Sequence, residues 1–205
     1  MRTMKRTAPA VFTLSVALLL LTGLATLGGN AVEARGVKSE TIEATAWGTG
    51  TQVGGMVGVS LDIYEYSTPE DRQILAQAFE QGQNQGLVNA LQRMKAVGHI
   101  AITGTLGYDV SYIKMIRTPT GRQIRFVTSR PIRFAENYWD TNSSAFNLTG
   151  GVFEINDSDS SKSTGVLYPA AQLVLDKDKQ LQLELNKNAW RLSDVLDWKG
   201  TPGVN

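Results

Sequence analysis

Apolar residues in this sequence recur mainly at every second position, in short runs cut by Gly, Pro, Asp and Asn. That period of two restricts the chain to a β-rich fold. Met56 to Tyr66 is the clearest case. Val57, Val59, Leu61 and Ile63 fall on one face, and Ser60, Asp62 and Tyr64 fall on the other. Gln180 to Asn186 alternates as cleanly, with Leu181, Leu183 and Leu185 against Gln180, Gln182 and Glu184. Glu40 to Trp47, His99 to Thr105, Tyr108 to Arg117, Arg122 to Ser129 and Leu148 to Asn156 read as further strands. Val166 to Leu175 reads as a strand that Pro169 bends or confines to an edge. Trp190 to Trp198 is either a last strand or a short amphipathic helix. Thr118-Pro119-Thr120-Gly121 joins the best hairpin, with Pro at the second turn position and Gly in the left-handed one. That turn predicts Ile116 facing Ile124, Lys114 facing Phe126, and Ile113 facing Val127.

One segment breaks the alternation. Thr68-Pro69-Glu70-Asp71 supplies a cap, a proline suited to the first helical turn and two acids that complement the helix dipole. Ile74, Leu75, Ala78 and Phe79 then share a helical face, and Leu87, Val88, Leu91 and Met94 resume it beyond Gly82 and Gly86. The expectation is one kinked helix, or two short ones, over 69–97. The fold class is therefore α+β: mainly antiparallel, about eight strands in a partial barrel or sandwich, with this one helical segment.

The N-terminus carries an address. Arg2, Lys5 and Arg6 precede an apolar run from Ala8 to Leu27, and small residues follow to Ala34. These are the three parts of a secretory signal. Val32-Glu33-Ala34 favours cleavage before Arg35, and cleavage after Ala31 is the second option. The competing reading is a retained anchor, since a span needs roughly 20 apolar residues. Residues 1–34 are thus read as signal peptide and 35–205 as a single domain, with a mobile tail after Lys199. Localisation is periplasmic or secreted, with no stable membrane span after cleavage.

Removing residues 1–34 takes away Arg2, Lys5, Arg6 and Glu33. Basic residues fall from 20 to 17, acidic ones from 19 to 18, and the net charge becomes −1. Near-neutrality argues against nucleic acid as a partner. The chain has no Cys and a single His, His99. Disulfides, thiol nucleophiles and multi-histidine metal centres are excluded, and no cofactor or metal is expected.

Several clusters remain as candidates. Lys114, Arg117, Arg122, Arg125, Arg130 and Arg133 follow one another with no acid between Val110 and Ala135. On a hairpin they form a positive surface for phosphate or carboxylate groups. The competing reading is pairing with acids such as Glu43, Asp62 and Glu65. Tyr138 and Trp139, beside Asn137 and Asp140, suit stacking on a sugar ring, unless the loop folds them onto the core. Asp157-Ser158-Asp159-Ser160-Ser161 resembles a fragment of a calcium loop but lacks its Gly and its bidentate Glu, so a solvated turn is favoured. The Gly48, Gly50, Gly54, Gly55, Gly58 run precedes a strand, not a helix, and is no phosphate loop. His99 with Asp109 or Glu136 has the elements of a general base, but no nucleophile elbow accompanies it. No catalytic residue is assigned.

Gly104 to Val110 (GTLGYDV), Phe126 to Phe134 (FVTSRPIRF) and Ser163 to Ala171 (STGVLYPAA) resemble an uncharacterised exported family of environmental bacteria, notably acidobacteria. The resemblance spans most of the mature chain. It implies export and a single domain, and carries no activity, ligand or site residue. The reading is an exported, non-catalytic envelope domain that binds an amphiphilic or anionic ligand, an envelope component or a protein partner. Lys114, Arg117, Arg122, Arg125, Tyr138 and Trp139 are its candidate contacts, and the polar hairpin lies near the mouth of an apolar pocket enclosed by the β shell. The alternative is a hydrolase of an envelope polymer acting through carboxylates the sequence does not single out. An outer-membrane barrel is disfavoured by the long polar helical segment.

Overall fold

The computed structural model describes residues 39–47, 55–132, 145–175, 181–185 and 188–199. Ten strands form one antiparallel sheet: β1 Glu40–Trp47, β2 Met56–Ile63, β3 Gly98–Ile102, β4 Tyr108–Val110, β5 Tyr112–Thr118, β6 Gly121–Thr128, β7 Leu148–Asn156, β8 Thr164–Leu175, β9 Leu181–Leu185 and β10 Trp190–Lys199. Among the described residues a single α-helix, α1 (Pro69–Arg93), joins β2 to β3. The order across the sheet is β4-β3-β2-β1-β10-β8-β7-β6-β5, with β9 added to β8. The two outermost strands, β4 and β5, are consecutive in the chain and separated by Ser111 alone. The sheet therefore bends back on itself into a nearly closed barrel. The α+β expectation with a partial barrel holds, with more strands than expected because Tyr108–Arg117 breaks at Ser111 and Trp190–Lys199 is a strand.

Alternation decides what lies inside. Ile42, Ala44, Ala46, Val59, Leu61, Ile63, Ile113, Ile124, Phe126, Phe153, Leu167, Trp190 and Leu192 point inward and form one core. Phe126 and Phe153 stack with centroids 6.1 Å apart. Gly151 makes room for them, since a Cβ there would lie 2.5 Å from the Phe126 ring. Among the described residues, these side chains fill the space between the strands. Thr41, Glu43, Ser60 and Asp62 alternate with these core residues along β1 and β2 and point outward, the reverse of a lipid-facing barrel.

The second core lies outside the barrel. Leu75, Phe79, Leu87, Val88 and Leu91 of α1 cover Tyr112, Val127, Leu148 and Leu173 on the outer face of β5–β8. Thr68 and Asp71 complete a reciprocal capping box at the N-terminus of α1. The expected kink falls at Gln83 (φ 50°, ψ −145°), between the two glycines. Ile74 is half exposed, so the buried stripe is Leu75–Phe79 and not the broader face predicted.

Two local expectations change. The β5–β6 hairpin closes on the two residues Pro119 and Thr120, with Thr118 opposite Gly121. Ile113 therefore faces Phe126, Lys114 faces Arg125 and Ile116 faces Gln123. The predicted register was off by one. Gly121 does not serve a left-handed turn; a Cβ there would sit 2.1 Å from the Ile155 carbonyl. Pro169, in turn, leaves β8 continuous but falls at an irregularity of the β7–β8 register, where residues 169–170 lie opposite Thr149. It sits where β8 exchanges β10 (paired at 165–167) for β9 (paired from Ala171), so its missing N–H leaves no gap. Its carbonyl accepts from Ile132 N and Thr149 Oγ1. Trp190 to Trp198 is a strand.

Candidate functional site

The basic hairpin does not present one surface. Arg117 lies at the exposed end and reaches Asp157 at 3.9 Å. Arg122 points into the barrel, while Lys114 and Arg125 lie on the outer face of the sheet. Odd spacing causes this division, because positions three apart on a strand face opposite sides, and the register then sets Lys114 across from Arg125. Glu43, Asp62 and Glu65 are not the partners: Thr41 bonds Asp62 at 2.7 Å, and Glu65 pairs with Lys95 at 2.7 Å.

Inside the barrel end, Arg122 holds two carboxylates, Glu40 of β1 and Asp197 of β10. Tyr66 Oη donates to Glu40 Oε2 at 2.9 Å. Burial raises the Glu40 pKa above its ordinary value, Arg122 opposes that rise, and Asp197 adds to it. Burial also raises Tyr66, with the Glu40 charge adding. For Arg122, burial works against the charge, but the bonds and charges of Glu40 and Asp197 outweigh it. One guanidinium between two carboxylates is a structural tie, so Arg122 leaves the ligand-contact set.

Outside, the geometry is different. Arg125 is buried to 6% exposure. Its Nε donates to Gln123 Oε1, and Gln123 Nε2 donates to Glu154 Oε1. Its Nη1 is buried with no hydrogen-bond partner among the described residues. A buried, unsatisfied guanidinium nitrogen is costly unless something fills the place beside it. Lys114, directly across the ladder, makes no hydrogen bond or ion pair among the described residues. Burial lowers its pKa, and the charges of Arg72 on α1 and of Arg125 lower it further. Burial likewise lowers Arg125.

Arg125 and Arg72 border apolar space. One hollow of about 50 Å³ is lined by Arg125, Leu148, Gly150, Tyr168, Leu173 and Leu183 among others. A second, of about 40 Å³, lies under α1 between Arg72, Leu75, Phe79, Tyr112 and Leu173. Val127 and Leu173 line both, so the hollows adjoin along the outer face of the sheet. The seam between helix and sheet is thus apolar along its length and cationic at its rim. Sequence reasoning found Lys114 and Arg125 through the charge run. It missed Arg72 and Tyr168, which only the fold brings there.

The other candidates resolve separately. His99 Nε2 lies 2.9 Å from the Leu106 carbonyl and Nδ1 lies 3.4 Å from Asp109 Oδ1, so the ring bridges the β3–β4 turn. Asp159 caps a one-turn 3₁₀ helix at Ser160–Lys162, accepting from Ser161 N and Oγ. The Asp/Ser run is therefore a capped turn. Tyr138, Trp139, Arg133, Glu136, Gly48, Gly50, Gly54 and the signal segment lie outside the described residues. No metal-binding group of His, Asp and Glu occurs among the described residues, and no described helix is long and apolar enough to cross a membrane. Comparison of the chain with protein-family models, with curated proteins and with solved structures gave no match.

Proposed function

We propose that the chain is an exported, non-catalytic binding domain that takes an amphiphilic anion along the seam between α1 and the outer face of β5–β8. The buried Arg125 Nη1 without a partner, opening on an apolar hollow beside Lys114, carries this reading. An anionic head group satisfies that nitrogen and offsets the converging positive charge of Arg72, Lys114 and Arg125. The adjoining hollows are small, which suits a narrow aliphatic chain over a ring system. Export rests on the residues before Arg35 and on the resemblance of the three quoted segments to an exported bacterial family. An intact mass of the periplasmic product that begins at Arg35 supports it; a retained N-terminus points to an anchor.

Titration of the purified protein with dodecanoate and with dodecanol tests the site. The carboxylate is expected to bind roughly tenfold or more tightly than the alcohol, the usual worth of a charge-assisted hydrogen bond. Arg125→Gln should abolish that difference and keep the fold. Binding should weaken as pH rises through the Lys114 pKa, which lies below the ordinary lysine value. Equal binding of acid and alcohol by the native protein would overturn the proposal.

A further inference from the structure

The barrel wall is split between β10 and the β7–β8 connection. β10 pairs with β8 only through Trp190–Leu192, and beyond Ser193 its neighbour is β1 alone. Asp194, at φ 51°, marks the place where the β1–β10 register slips. From there β10 diverges from the β7–β8 connection, which is folded into its 3₁₀ turn. The gap is an open cleft of about 430 Å³. Val195–Trp198 form one wall, and Ile155–Asp157, Ser160 and Ser163 form the other.

The residues facing this space differ from those of the seam. Trp198 is 48% exposed, and its indole N–H donates to Glu43 Oε2 at 3.1 Å, which fixes the ring in place. Leu196 is exposed beside it. Opposite, Asn156 uses its Oδ1 to accept from Ser158 N and Asp159 N, while its amide N–H groups make no hydrogen bond among the described residues. The Ser160 hydroxyl makes none either. A pinned aromatic wall facing unused neutral donors and acceptors matches one ligand chemistry. A pyranose ring offers an apolar C–H face to an indole and a rim of hydroxyls to amides, hydroxyls and carboxylates. The cleft volume falls within the range of small-ligand sites.

We infer that this cleft is a saccharide subsite that takes a pyranose unit of a neutral glycan, with Trp198 as its platform and Asn156 and Ser160 as its hydrogen-bonding side. The inference is independent of the amphiphile seam.

Soluble oligomers of glucose and of N-acetylglucosamine are the probes. The indole N–H resonance of Trp198 is assigned by its loss in Trp198→Phe. At least one oligomer should shift it. Trp198→Ala should weaken that binding roughly tenfold or more, while Trp198→Phe retains most of it. Ser160→Ala, an exposed-side change with no bond to break, should weaken it severalfold and leaves folding out of the question. Trp47→Ala and Arg125→Gln should leave it unchanged, the latter separating this cleft from the seam. Failure of both oligomers to move the Trp198 signal overturns the inference. So does undiminished binding by Trp198→Ala and Ser160→Ala.

Discussion

Arg122 and Arg125 are three residues apart, carry the same charge and do opposite things. Arg122 is held by Glu40 and Asp197 inside the barrel, and removing it leaves two carboxylates facing each other without a cation. Breaking a buried pair from one side costs about 3–5 kcal/mol, so Arg122→Gln should lose that much in denaturant unfolding at pH 7. Glu40→Gln should cost less, because Arg122 keeps Asp197 and the burial penalty on Glu40 disappears. The pH dependence follows from the raised Glu40 pKa. A carboxyl whose folded pKa lies above its unfolded value contributes stability that is complete below the unfolded value and is lost as pH rises through the folded one. Mild acidification toward the ordinary carboxylate range should therefore narrow the gap between Arg122→Gln and the native protein; a gap that widens would show that Glu40 is not the group responding. None of this was legible from the charge run. Six cations without an acid look alike in one dimension, and their roles depend on which face each takes. A hairpin register wrong by one residue is enough to exchange every face. The acids that matter, Glu40 and Asp197, lie at opposite ends of the domain sequence, where no local pattern links them to position 122.

At the scale of elements, α1 shows both what local signals carry and where they stop. The cap at Thr68 to Asp71 and the interruption around Gly82 and Gly86 were readable because they are backbone chemistry within a few residues. The purpose of the kink was not. It turns Asn84 toward the sheet, where its Oδ1 accepts from Leu173 N at 2.9 Å and its Nδ2 donates to Asn147 Oδ1 at 2.7 Å. β7 pairs with β8 only as far as Leu148 opposite Ala171, so Leu173 N lies past the end of that ladder. Asn84 takes up the donor that β7 leaves behind. Asn84→Ala strands a part-buried N–H and should cost about 1–3 kcal/mol, with faster amide exchange at Leu173. Asn84→Asp, which keeps the acceptor, should recover much of that loss. Unchanged stability and exchange in Asn84→Ala would mean that the apolar stripe alone holds the helix on the sheet.

The whole molecule is organised by closure. Its first strand, β1, pairs along its length with its last, β10, and the opposite seam runs through the single residue Ser111 between β4 and β5. Strand content and antiparallel order were visible from alternation, but closure is a long-range pairing that period-two patterning does not encode. This arrangement makes β10 different in kind from β9. β10 supplies Trp190, Leu192 and Val195 to the inner core and Asp197 to the Arg122 tie. β9 lies off the circuit and pairs with β8 alone. A chain ending at Asn188 should therefore have no cooperative unfolding transition, because its barrel lacks the strand that joins β1 to β8. Replacing Leu181–Leu185 with Gly and Ser should lower the transition midpoint and leave it cooperative, since the circuit remains intact while Leu183 is withdrawn from the outer cluster. Calorimetry of both variants separates the cases, and a cooperative transition in the truncated chain would refute closure as the organising contact. The separation also bears on function. The amphiphile seam is built on β5–β9 and α1, the saccharide cleft on the divergence of β10 from β7–β8. The β9 replacement should thus impair dodecanoate binding through the loss of Leu183 from its hollow, while oligosaccharide binding at Trp198 persists.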